Sequence, residues 1–147
     1  YRYAQMLQDL KSGITLKPSH IPLLRAANTY EGTAVNLRNY HSATVILSTG
    51  AVVSGGTATF KIQESSDGST NWADIAAARL NGTIAVMDTA DTVQIIGLTD
   101  IGGITKKYVR VYCTVAAQNV TCAAYVVRGN AQHAPASDSN VGAILIS

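Results

Sequence analysis

The chain has 147 residues, enough for one domain with its own core, and its net charge of +2 with a single adjacent basic pair, Lys106-Lys107, leaves no nucleic-acid footprint. Apolar residues make up 47% and charged ones 14%, against about a quarter in ordinary soluble domains, so an uncharged surface suited to standing contact with other protein chains is expected. No apolar run is long enough to span a bilayer, and the start YRYAQMLQDLKSG lacks the unbroken apolar core of a signal peptide, so the expectation is a cytoplasm-made protein with reduced thiols.

Within Tyr1–Tyr30, Met6, Leu7 and Leu10 have helical spacing and Ser12-Gly13 is a stop signal. In ITLKPSHIPLL, Pro18 and Pro22 exclude a continuous helix and favour an extended course. Such a segment has the character of an arm, laid across a neighbouring subunit or packed on its own domain; both courses stay open.

Strand-period alternation then takes over. A short strand is predicted over Ala34–Tyr40. Ala43, Val45 and Leu47 share one face of the next, with Thr44 and Ser48 opposite. Gly50–Gly56 reads as a loop, and Ala58, Phe60 and Ile62 alternate with Thr57, Thr59, Lys61 and Gln63. Short strands follow at Trp72–Ala76, Thr83–Met87 and Thr92–Leu98. Tyr108–Arg128 reads as a hairpin turning at Ala116–Asn119, with Cys113 opposite Cys122, Val111 opposite Ala124 and Val109 opposite Val126. Tyr108, Arg110, Tyr112 and Tyr125 would share its other face. A polar linker, Asn130–Asn140, leads to the apolar run Val141–Ser147, expected to pair with a sheet edge in its own or another subunit. The fold class is therefore all-β: an antiparallel β-sandwich or jelly roll of about eight short strands. It divides into an N-terminal arm (1–32), a core (33–129) and a C-terminal linker with tail (130–147).

The chain carries no recognisable constellation of catalytic groups. His20, His41 and His133 sit at no metal-ligand spacing, the only glutamates are Glu31 and Glu64, and Asp67, Asp88, Asp91 and Asp100 lie in turn-forming settings. No nucleophile elbow, phosphate loop or dinucleotide fingerprint occurs. No enzyme, cofactor or metal is expected. Cys113 and Cys122 read as two small core residues in preference to a redox switch or cross-strand disulfide.

The stretch ESSDGSTNW (64–72) is similar to the Asp-box of sialidase propellers. It departs from that box at Ser69 and Asn71, where Gly and Thr belong, and it occurs once where the box recurs blade by blade. Asp67-Gly68 instead marks a reversal after the strand Thr57–Glu64, with Trp72 opening the return strand and covering the sandwich end.

The succession LRNYHSATVILSTGAV…GTATFKIQESSDGSTNWADI…KKYVRVYCTV…YVVRGNAQHAP, covering Leu37–Pro135, resembles small proteins encoded beside the major capsid gene of tailed bacteriophages. The resemblance implies a head decoration or cement protein on the outer surface of the capsid, made in the host cytoplasm. Its partners would be the major capsid protein and copies of itself, as dimer or trimer, with no nucleic acid, membrane or small-molecule substrate. Tyr1, Tyr3, Met6, Leu7, Leu10, Ile144, Leu145 and Ile146 are the residues expected at such interfaces. A head–tail connector or tail component, and a carbohydrate-binding sandwich stacking sugar on Trp72 or on Tyr108, Tyr112 and Tyr125, are the alternatives.

Overall fold

The computed structural model describes residues 10–99 and 107–131. Residues 1–9 and 132–147 lie outside it, and with them every expected interface residue except Leu10, which belongs to the helical segment Leu10–Gly13.

Ten antiparallel strands form two sheets among the described residues: β1 (Ile14–Arg25), β2 (Asn28–Glu31), β3 (Val35–Asn36), β4 (Tyr40–Val52), β5 (Thr57–Ser65), β6 (Ala73–Asp74), β7 (Leu80–Asn81), β8 (Val93–Leu98), β9 (Tyr108–Ala116) and β10 (Val120–Ala131). The first sheet has the order β1-β10-β4-β8-β7; the second has β2-β9-β5-β6, with β3 also on β9. The expected sandwich is present. Alternation places Ala43, Val45 and Leu47 inward from one sheet, and Ala58, Phe60 and Ile62 inward from the other, all in one buried cluster with Ile96, Val111 and Val126. Each fully buried Val or Leu contributes about 1.5–3 kcal/mol of transfer free energy, so these rows fix which face turns inward.

Three expectations change. The stretch assigned to an N-terminal arm is in large part sheet: β1 pairs with β10 from Ile14↔Gly129 to Arg25↔Val120, and β2 pairs with β9. The prolines do not prevent this because β1 is an edge strand, where a missing N–H need not face a partner. The register shifts twice between Pro18 and Leu23, the stretch that holds Pro22.

The second change concerns Tyr108–Arg128, which is not a hairpin. β9 pairs with β5 (Phe60↔Cys113), while β10 pairs with β4 (Cys122↔Thr49), so the chain arches from one sheet to the other. Gln118 N–H bonds Ala116 O at 2.8 Å and Ala117 takes a positive φ of 67°, a tight corner that turns the strand out of its sheet. Cys113 and Cys122 do face each other, but across the sandwich interior. Alternation alone cannot separate these cases, because an arch and a hairpin both turn the same residues inward.

The third change is at Thr83–Met87, which is no strand; only Met87 makes an isolated bridge, to Ala58. The predicted strands at Ala34–Tyr40 and Trp72–Ala76 shorten to β3 and β6.

Candidate functional site

The two outer faces of the sandwich differ in chemistry. On the β2-β9-β5-β6 sheet, one hydrogen-bonded row crosses all four strands. Arg110 donates from Nη1 to Glu31 (3.3 Å) and from Nε to Gln63 (2.9 Å), Gln63 donates to Asp74 (3.0 Å), and Lys61 pairs with Asp74 at 3.5 Å. Arg110 also lies over the Trp72 ring, 4.4 Å from its centroid. Trp72 is therefore half-buried against a guanidinium on an outer face and is not a lid on the sandwich end.

The turn before it is built by Asp67. Its carboxylate accepts from Ser69 N (2.9 Å), Thr70 N (2.8 Å) and Thr70 Oγ1 (2.6 Å), while Ser65 Oγ accepts from Asp67 N and Gly68 N. The Thr70 hydroxyl first, then the Thr70 and Ser69 amides and the Ser65 hydroxyl, hold Asp67 far below the usual carboxylate range. Such a group organises a turn and is no proton donor near neutral pH. Gly68 (φ 77°) and Asn71 (φ 57°) both sit left-handed, which gives the Asn at that place its physical reason.

The outer face of the β1-β10-β4-β8-β7 sheet is the opposite case. A row of aligned residues runs Pro18, Tyr125, Ile46, Ile95 across four strands. The flanking outward positions are Leu16, Val127, Thr44 and Gly97 on one side and Ala123, Ser48 and Val93 on the other. None of these carries a charge. Ile95 and Val93 are 63% and 62% exposed, and Val86 beside them is 55% exposed. Tyr125 belongs to this face, so it does not join Tyr108 and Tyr112, and the expected platform of three tyrosines does not form.

A third feature had no signal in the sequence. On the side of β9 away from β5, the ladder breaks at Val111, between the pairings with β2 and β3, and the Val111 N–H bonds a side chain there. Side chains of β1 fill that gap from the other sheet. Ser19 Oγ accepts from Val111 N (3.0 Å) and donates to Thr33 O (3.0 Å), while His20 Nε2–H donates to Val111 O (2.7 Å). Gly32 N also reaches Val111 O, and Thr33 N reaches Ser19 O. Burial lowers the His20 pKa, with the nearby Arg25 charge adding to it against the hydrogen bond to Val111, so the imidazole is neutral. Beside this clasp lies a groove of about 460 Å³ lined by Lys17, His20, Arg25 and Glu31 among others. No group of three or more His, Cys, Asp or Glu among the described residues is placed to hold a metal ion.

Fold and surface together define an antiparallel β-sandwich with one charged, internally paired outer face and one uncharged outer face. No family model matches the chain, and no curated protein does. Among solved structures it is similar to the SPBc2 prophage-derived protein YomS (18% identity, TM-score 0.46, 78% of this chain and 92% of that one). It is also similar to chains of infectious bursal disease virus: the Gx strain (11% identity, TM-score 0.46, 78% of this chain and 31% of that one) and the Gt strain (11%, 0.42, 83% and 34%). The chain thus spans about a third of each of those viral chains. These distant likenesses carry no functional weight.

Proposed function

We propose that this chain is a non-enzymatic structural protein of a tailed-bacteriophage virion, decorating the outer capsid surface and cementing neighbouring subunits. The observation that carries the reading is the uncharged outer face of the β1-β10-β4-β8-β7 sheet. A face with Ile46 opposite Ile95, Val93 in the next row and no charge gains free energy when covered, at about 25 cal/mol per Å² of apolar area removed from water. The capsid-gene resemblance of Leu37–Pro135 supplies the partner: the major capsid protein, with further copies of this chain around it. Repetition over a symmetric shell multiplies a weak contact of this kind. Binding only the assembled lattice stabilises that lattice by mass action. In this reading Tyr1, Tyr3, Met6, Leu7, Leu10, Ile144, Leu145 and Ile146 extend the contact beyond the sandwich.

Quantitative mass spectrometry of purified virions tests it. Decoration requires a copy number comparable to that of the capsid subunit; about a dozen copies would instead fit a connector ring, and none would end the virion reading. Ile95→Lys tests the face itself. The side chain is mostly exposed, so the variant folds with less than about 0.5 kcal/mol change in stability yet sediments free of the capsids that retain wild type. Undiminished retention of a folded Ile95→Lys variant would remove the face from the interface.

A further inference from the structure

Cys113 stands in the inward row of β9 and Cys122 in that of β10, with Val115 and Val120 between them and the arch that joins the two strands. Their sulfurs lie 3.9 Å apart, and both residues are buried, at 0% and 1% exposure. A disulfide needs about 2.05 Å between sulfurs, so closing it asks each sulfur to move by roughly 1 Å. The only covalent path between these strands is otherwise the arch itself.

A second observation concerns Arg25. Its side chain is buried, its Nη2 donates to Ile21 O (3.0 Å), and its Nε has no hydrogen-bond partner. The same residue lines the groove beside His20, and on β1 it pairs with Val120, the inward position next to Cys122 on β10. A buried cation with spare donor capacity beside one of two facing thiols is an arrangement that holds a thiolate. The electrostatics agree in direction: the hydrogen bond between the two sulfurs lowers Cys122, against burial, with the Arg25 charge and hydrogen bond adding to the fall. Cys113 is raised, by that same hydrogen bond and by burial.

We infer that Cys113 and Cys122 are an oxidation site at which a small peroxide closes an intramolecular disulfide, stapling the two sheets together with Cys122 as the attacking thiolate and Arg25 as its positioning residue. The Cys122 thiolate attacks one oxygen of hydrogen peroxide, breaking the O–O bond and giving a sulfenic acid and hydroxide. Cys113 sulfur then attacks the sulfenic sulfur, displacing its oxygen as water when the Cys113 proton is transferred. Hydroxide takes up the proton that Cys122 lost. The net change is two thiols and one peroxide to one disulfide and two waters. The two electrons lost by sulfur reduce the peroxide. The groove brings a water-sized oxidant as far as Arg25, one side chain from the pair.

The test exposes the folded full-length chain to hydrogen peroxide, then denatures, alkylates and digests it with trypsin. No Lys or Arg lies between Val111 and Arg128, so both cysteines fall in one peptide. The expected product is that peptide 2 Da lighter, carrying no alkyl group, and restored to two alkylated thiols by dithiothreitol. In Cys113→Ser the sulfenic acid persists and is trapped by dimedone at Cys122, whereas in Cys122→Ser Cys113 is left unlabelled. The guanidinium midpoint of the oxidised chain should lie above that of the reduced one. Two alkylated thiols after exposure, sulfinic acid at either position, covalent dimers, or a lowered midpoint would each overturn the proposal. Equal trapping in the two Ser variants would overturn the assignment of Cys122 as the attacking group.

Discussion

Gly32→Ala is the sharpest test of the clasp between the sheets. A Cβ at this position would run into Ser19 Oγ and lie 2.5 Å from Val111 O and 2.9 Å from Ser19 O. Two of these obstacles are backbone, so the segment around Gly32 must back away by roughly 0.5–1 Å to reach ordinary contact. That movement lengthens Gly32 N–H to Val111 O, now 2.9 Å, and Thr33 N–H to Ser19 O, now 2.8 Å. Displacing Ser19 Oγ also deprives Val111 N of its acceptor. Thr33 is exposed, so water can replace its partner; the Val111 and Gly32 amides left short of partners, at about 1–3 kcal/mol each, put the loss near 2–6 kcal/mol. For a domain of this size that lowers Tm by about 6–30 °C. Guanidinium unfolding followed by the fluorescence of Trp72, the only tryptophan, reads the change directly. Gly13→Ala is the control: a Cβ there meets nothing within 4 Å, and the variant should stay within about 0.5 kcal/mol of wild type. In Ser19→Ala the nearest obstacle is gone, so the double variant should lose less than the sum of the two single losses. A Gly32→Ala protein as stable as Gly13→Ala would refute the clasp.

Two further outcomes follow from the same contacts. His20 is buried with its pKa lowered, so the unfolded chain takes up a proton near pH 6.5 while the folded chain does so only at lower pH. The stability this group contributes is complete above pH 6.5 and is lost as pH falls from there through the folded value, by at most about 1.4 kcal/mol per unit; unfolding midpoints measured from pH 7.5 to 5 should fall, and His20→Gln should flatten that dependence. Arg110→Leu removes the cation from the Trp72 ring and the bond to Gln63, costing about 1–2 kcal/mol and shifting Trp72 emission, whereas unchanged emission would show that the stacking does not persist in solution.

The sandwich, the inward rows of the main strands and the turn at Asp67 are all legible in the order of residues. Each of these is a local matter: alternation of period two, or a short hydroxyl- and carboxylate-rich reversal, is written in consecutive residues. The absence of charge at Thr44, Ile46, Val93, Ile95 and Tyr125 is legible too, though not that these residues meet on one surface.

Tertiary structure alone decided how the strands are shared out. The alternation of β9 and β10 is the same for a hairpin and for an arch; pairing with β5 and β4, far earlier in the chain, sends them to different sheets. That choice separates Tyr125 from Tyr108 and Tyr112, brings the sulfurs of Cys113 and Cys122 together through the core, and leaves Val111 to be completed by Ser19 and His20 from β1. None of it is legible in order along the chain, because each contact joins residues on different strands whose proximity is created only when the two sheets close on a common core.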